Sequence, residues 1–186
     1  VQGEVQVGKA FVLGAGFKDI GSEGERHNRT SRVFEKVAKG DAMEANLRSI
    51  LEEGIKAITP DCNVMELSGA FSKLYDEITL FNPAYGLVNA QGQELVVKHL
   101  LDCLAPAPII RAETSSFGSI NAADLGSGAG LPGLVLAAAF PEWNLSLVER
   151  MGRRAGFLRN TCAVMGLSKN VQVVQKDLSE VQNKYN

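Results

Sequence analysis

The strongest constraint on this chain is an alternation that begins after Ile110. Ser119 to Leu125 reads as a strand, Leu131 to Phe140 as a helix, Leu145 to Glu149 as a strand, Gly152 to Met165 as a helix, and Val171 to Gln175 as a strand. An order of strand, helix, strand, helix, strand leaves few topologies, because crossovers between parallel strands are right-handed. The expected product is a parallel α/β half-sheet, with any ligand held outside the carboxyl ends of its strands.

Upstream the texture is helical. Leu47, Ile50, Leu51, Ile55 and Ile58 recur at helical spacing from Met43 until Pro60 stops the run. A second helix is expected from an Asp61 N-cap, with Val64, Leu67, Phe71, Leu74, Tyr75 and Ile78 on one face, until Asn82-Pro83 breaks it. A third runs from about Gln93 to Leu104, with Leu95, Val96, His99, Leu100 and Cys103 facing one way, and Pro106 and Pro108 end it. Residues 1–42 carry an apolar Gly-rich piece, Phe11 to Phe17, then a polar stretch, and show no sustained period.

Composition excludes several classes. A chain of 186 residues that is 45% hydrophobic and 22% charged has enough apolar surface for a core, which excludes disorder throughout. The longest apolar run, around Leu134 to Phe140, falls short of the roughly 20 residues of a membrane span, and no signal segment opens the chain. A cytosolic protein is expected. Cys62, Cys103 and Cys162 are odd in number and far apart, so buried thiols are expected rather than a disulfide framework. His27 and His99 form no metal-ligand spacing, and no metal site is expected. Charge is uneven: from Trp143 onward seven bases face three acids, which fits either a polyanion partner or a solvated basic helix face.

The chemistry concentrates in Asp124-Leu-Gly126-Ser-Gly128-Ala-Gly130-Leu131-Pro132-Gly133, between the first strand and its helix. Glycines there permit positive φ and close backbone approach, and Pro132 suits a first helical turn whose amides would face a ligand. Gly128-x-Gly130-x-x-Gly133 matches the dinucleotide pattern, so NAD is one candidate. Asp124 argues against it, since a carboxylate at the loop entrance repels a pyrophosphate yet tolerates the cationic ammonium and sulfonium groups of S-adenosylmethionine (AdoMet). Glu149, ending the second strand, suits the ribose hydroxyls of either cofactor. Ser179, after the third strand, can hydrogen-bond an adenine. A structural turn without ligand is the third reading of the loop.

These residues resemble a known family. Asp124-Leu-Gly-Ser-Gly-Ala-Gly-Leu-Pro-Gly133 is similar to the Asp-x-Gly-[Ser/Thr]-Gly-x-Gly-Leu-Pro-Gly loop of the RsmG (glucose-inhibited division protein B) family. Lys98-His99-Leu-Leu-Asp102-Cys103 resembles its Arg-His-x-x-Asp-Ser, with Lys and Cys as departures, and Glu149-Arg-Met-Gly152-Arg-Arg154 with Phe157-Leu158-Arg159 resembles its post-strand helix. The resemblance covers about Met43 to Val181. It implies an incomplete Rossmann-like, class I AdoMet-dependent methyltransferase sheet over residues 111–186, an N-terminal helical cap over 43–110, and an unassigned extension over 1–42.

The implied activity is methylation of guanine N7 in the 16S RNA of the small ribosomal subunit, with AdoMet as cofactor. The site residues it implies are Asp124, Gly126, Gly128, Gly130, Leu131, Glu149, Leu178 and Ser179 for AdoMet, and Arg150, Arg153, Arg154 and Arg159 for RNA phosphates. His99 and Asp102 are expected to pack the cap on the sheet. The resemblance also implies a chain truncated after its third strand, where the family continues through a fourth strand with a Ser-Arg-Ala-type motif. Alternatives are a truncated inactive copy, an NAD(P)-linked oxidoreductase using the same loop, and a non-catalytic RNA-binding remnant.

Overall fold

The computed structural model describes residues 43–117 and 120–180. The expected extension over 1–42 and the first residue of the expected strand at Ser119 lie outside these described residues. Helix α1, Ala45–Ile58, buries Leu47, Leu51 and Ile55, one residue per turn. It ends where Thr59 folds back, its N–H and its hydroxyl both donating to the Ile55 carbonyl at 2.8 and 3.0 Å. Helix α2, Val64–Tyr85, buries Leu67, Phe71, Leu74, Tyr75 and Ile78 on one face, as the spacing predicts.

Both ends of α2 differ from expectation. Its N-cap is Asn63, not Asp61: the Asn63 side chain accepts from Glu66 N–H at 3.3 Å and donates to the Glu66 carboxylate at 3.3 Å. That reciprocal pairing satisfies an otherwise unpaired amide and outcompetes the acid two residues earlier. Asn82-Pro83 does not break the helix, which runs on to a left-handed Gly86. The Asn82 side chain instead organises the exit, accepting from Leu87 and Val88 N–H at 2.8 and 2.9 Å and donating to the Val88 carbonyl at 2.8 Å.

Helix α3 begins as Gly92–Leu95, widens into a π-helical turn over Val96–Leu101, and returns to α geometry over Asp102–Leu104. Its buried residues are Leu95, Val96, Leu100 and Leu104, while His99 and Cys103 are half-buried. The prolines after it open a further helix, α4, Ala107–Thr114, that the sequence reading did not contain. Pro106 and Pro108 lie at its N-cap and first turn, where a missing N–H costs no intrahelical bond.

The alternating segment forms β1 (Asn121–Leu125), α5 (Gly133–Ala139), β2 (Asn144–Val148), α6 (Gly152–Met165) and β3 (Val171–Val174). All three strands are parallel in the order β1, β2, β3, with Asp124 opposite Leu147 and Leu147 opposite Val173. A mixed fold of a helical N-terminal region and a parallel three-stranded sheet follows. It is the β-α-β-α-β part of a Rossmann-like domain.

The helical region joins the sheet through α6. Phe157, 2% exposed, meets the Phe81 ring edge-on at 5.7 Å. Asn160 donates to the Glu77 carboxylate at 2.5 Å, and Arg154 donates to the Gly86 carbonyl that ends α2. At the other end of the sheet Arg111 donates to the Ala139 carbonyl at 2.9 Å and lies over Phe140, which stacks on Trp143. No helix among the described residues is long and apolar enough to cross a membrane.

Because Phe157 belongs to both layers, Phe157→Ala should lower unfolding stability by about 3–5 kcal/mol. Urea denaturation should show an earlier midpoint with an unchanged slope; a shift below about 1 kcal/mol would mean the two layers do not share this core.

Candidate functional site

The glycine loop leaves β1 at Leu125 and is held by the neighbouring strand. Gly126 N–H and Ser127 N–H both donate to the Val148 carbonyl at the end of β2, at 2.8 and 3.1 Å. Ser127, 2% exposed, also donates its hydroxyl to the Asp124 carbonyl at 2.9 Å. Gly126, Gly128 and Gly130 adopt φ of 82°, 51° and 80°, a region that costs an L side chain. A side chain at Gly126 would meet open space, so the loop backbone lies uncovered there. Leu125 and Met151, 57% and 50% exposed, flank it as apolar groups at the ends of β1 and β2.

Gly133 has a different reason. Its φ is ordinary, but a Cβ there would sit 2.6 Å from Asp124 Oδ2 and collide with Leu147. Only glycine lets the start of α5 come this close to the sheet, and the approach makes the Gly133 N–H to Asp124 Oδ2 hydrogen bond of 3.2 Å possible. The first amide of α5 therefore points at Asp124, not at a ligand as the loop pattern suggested. The Leu131–Pro132 peptide before it is cis.

Asp124 is a partly buried carboxylate. Burial pushes its pKa above the usual carboxylate value, against the hydrogen bonds from Gly133 and Ser127 that favour the charged form. Glu149 is more deeply held, at 5% exposure. Its Oε2 accepts from Gly128 N–H at 3.0 Å and its Oε1 from Met151 N–H at 2.7 Å, so one side chain binds the loop after β1 to the residue that caps α6.

After β3 the chain forms a 3-10 turn, Leu178–Glu180. Ser179 does not present free donors there: its N–H and its hydroxyl both donate to Asp177 Oδ1, at 3.1 and 2.9 Å. Those bonds hold the Asp177 carboxyl below its usual range. Of the basic residues, Arg150 and Arg153 are exposed at the start of α6. Arg154 is half-buried and bonded to Gly86, and Arg159 donates to the Gln175 side chain at 3.4 Å. The structure thus brings Asp124, Gly126, Gly128, Gly130, Leu131 and Glu149 together, with Leu178 and Ser179 at the end of the adjoining strand.

Sequence reasoning missed Ser127, the Asp124 contact of Gly133 and the Met151 amide as parts of this site. Ser127 sits in Gly-Ser-Gly, where a small hydroxyl among glycines is a signal of backbone pinning; Gly133 reads as part of the glycine pattern but not as the partner of Asp124, and Met151 acts through a contact no local pattern carries. Of the thiols expected to be buried, Cys162 is, while Cys62 and Cys103 are half-buried. Burial pushes the Cys103 and Cys162 thiols up to about 11. No three His, Cys, Asp or Glu side chains among the described residues come together as a metal-ligand set.

A glycine loop pinned across the carboxyl ends of two parallel strands, with a buried acid at the end of the second, places the chain in the Rossmann-like class of folds. Residues 68–186 match the family model of GidB, described as rRNA small subunit methyltransferase G. The chain belongs to this family. Relatives called ribosomal RNA small subunit methyltransferase G include one from Treponema pallidum (strain Nichols), 35% identical over 139 residues, 72% of this chain and 59% of the relative. One from Nitrosomonas eutropha is 32% identical over 139 residues, 74% of this chain and 61% of its own length. One from Alteromonas mediterranea is 35% identical over 138 residues, with shares of 72% and 59%. The chain spans about three-fifths of the length of these curated relatives.

Two outcomes test the geometry without any ligand. Glutamine at position 149 has one acceptor and one donor, so Glu149→Gln leaves one of the two amides facing an N–H₂; it should cost about 1–3 kcal/mol of stability in chemical denaturation. No loss would show that the bridge is dispensable. For Asp124, the raised folded value means the native state holds its proton more tightly than the unfolded chain. That contribution is full below the ordinary value of 3.8 and is lost as pH rises through the folded one. Asp124→Asn, which still accepts from Gly133, should therefore gain on the wild type as pH rises from 3.8 to neutrality, and parallel stability curves would contradict this.

Proposed function

We propose that this chain carries the AdoMet-binding part of a methyltransferase acting on N7 of a guanine in 16S ribosomal RNA. The observation behind it is the uncovered backbone of Gly126 and Gly128 over the ends of β1 and β2, in a chain whose relatives are named rRNA methyltransferases. The residues fit the cofactor. Among the described residues, chain neighbours aside, no atom lies within 4 Å of where a Gly126 side chain would start, and at Gly128 only the Gly126 carbonyl does, at 3.7 Å, so a ligand can rest on backbone. Each Glu149 oxygen accepts one amide and keeps a second lone pair for a ribose hydroxyl.

When bound, AdoMet supplies an electrophilic methyl group on a cationic sulfonium. The chain's part is binding and orientation. Gly126, Gly128 and Leu131 form the floor, supported by a Gly130 that is itself buried against Leu134 and Leu158, Glu149 faces the ribose, and Leu178 and Ser179 flank the adenine. Asp124 adds negative charge beside a cationic ligand, which favours AdoMet over a dinucleotide whose pyrophosphate it would repel. Guanine N7 has an in-plane lone pair and no proton to lose, so alignment rather than a general base is required. Arg150 and Arg153, exposed at the start of α6, are placed to meet RNA phosphates, with Arg154 and Arg159 contributing beside their protein contacts.

Titration calorimetry with AdoMet and, separately, with NAD tests the cofactor. Binding of AdoMet and not of NAD is expected, followed by methyl transfer from labelled AdoMet to small-subunit RNA. A folded chain that binds neither, or binds NAD, overturns the reading.

A further inference from the structure

The π-helical turn in α3 has a partner in α1. A π turn inserts one residue into an α-helix and rotates everything after it about the helix axis, so it persists only where tertiary contacts hold it. Here the contact is Leu101, the last residue of the turn, whose side chain fills a notch at Gly54 in the middle of α1. A Cβ at Gly54 would sit 2.8 Å from Leu101 Cδ2 and 3.1 Å from its Cγ, and would collide with Cδ1. Gly54 lies within regular helix and shows no positive φ. Glycine there costs the helix about 1 kcal/mol relative to alanine, and what it permits is the entry of Leu101.

The residues whose direction the turn sets come next. Leu104 is fully buried, Asp102 is exposed, and Cys103 is half-buried against the core. The short helical segment Asp102–Leu104, which carries Cys103, packs against α5. Asp124 in turn accepts from Gly133 at the start of α5. Helix α1 thus meets the π turn at Leu101, the segment after the turn meets α5, and the first amide of α5 meets the corner of the glycine loop.

We propose that Leu101 and Gly54 are positioning residues for the cofactor loop: the side chain seated in the notch holds the π turn in phase and so keeps Asp102–Leu104 packed on α5, whose first amide binds Asp124. The ligand half of this inference rests on the AdoMet reading above; the placement of Cys103 does not. Helix α1 touches no expected ligand, yet its packing sets one wall of the site. Without the seated side chain the turn relaxes to α geometry, and Asp102–Leu104 rotates on α5 and uncovers Cys103.

The test uses the full chain and two readouts. Gly54→Ala improves the propensity of α1 while pushing Leu101 out. It should speed alkylation of Cys103 by iodoacetamide at least several-fold, measured by peptide mass spectrometry, leave Cys162 unchanged, and weaken AdoMet binding several-fold. Leu101→Ala, which empties the notch and leaves α1 unaltered, should change both readouts in the same direction, and wild-type behaviour of that variant would overturn the inference. Unchanged Cys103 labelling in Gly54→Ala would overturn the inference, as would a parallel rise at Cys162, which reports general loosening. A wild-type chain that binds no AdoMet would sink the cofactor reading, while Cys103 labelling would still decide this one.

Discussion

A carboxylate taken out of water is costly unless its oxygens find donors, and Glu149 meets that condition with two backbone amides from different parts of the chain. Gly128 belongs to the loop after β1 and Met151 to the entry of α6, so the end of β2 becomes the point through which both are located. Val148 adds to this by accepting from Gly126 and Ser127. The path of the loop is therefore dictated by the strand beside it more than by the strand that leads into it. A loop fixed in this way has little freedom left to lose when a ligand arrives.

The helical region is built into the same frame. Helix α6, whose N-terminus Glu149 locates, carries Arg154, Phe157 and Asn160 on the side facing α2. Glu77, the partner of Asn160, is a carboxyl whose partial burial raises its pKa, while Asn160 stays exposed, so this contact lies at the edge of the packed layer. Arg150, just before this helix, and Arg153, in its first turn, are exposed, while the helix grips the helical layer along its length. The two faces explain why four arginines that look alike in sequence differ in their surroundings.

What could be read from the sequence followed from local rules. Helix α6 runs from Gly152 to Met165 as its glycine-bounded pattern predicts, and the three strands alternate with helices in the expected order. Apolar spacing also identified the buried faces of α1 and α2. The misses share a cause: a side chain competing for backbone groups, or a contact between distant residues. Asn63 and Asn82 decide the ends of α2 through their amide groups, against the nearer signals of Asp61 and Pro83. The π turn depends on Leu101 meeting a glycine 47 positions earlier, which periodicity within α3 cannot show. At the site the residue types were legible, while the occupation of Glu149 and Asp124 by backbone amides, and of the Ser179 donors by Asp177, was not.

Those amides bear on the chemistry. Methyl transfer to an unprotonated nitrogen asks for alignment of donor and acceptor, and alignment is lost to small displacements. In this chain the acids that would touch the cofactor are the ones that hold the loop, since Asp124 fixes the start of α5 and Glu149 fixes Gly128 and α6. Binding and rigidity then cannot be separated by removing either carboxylate, because each deletion frees a backbone amide as well as a ligand contact. Replacing Asp124 with asparagine keeps an acceptor for Gly133 while it removes the charge and turns the other oxygen into a donor. An effect of that exchange on affinity for a cationic ligand, beyond its effect on stability, would isolate the electrostatic part of recognition.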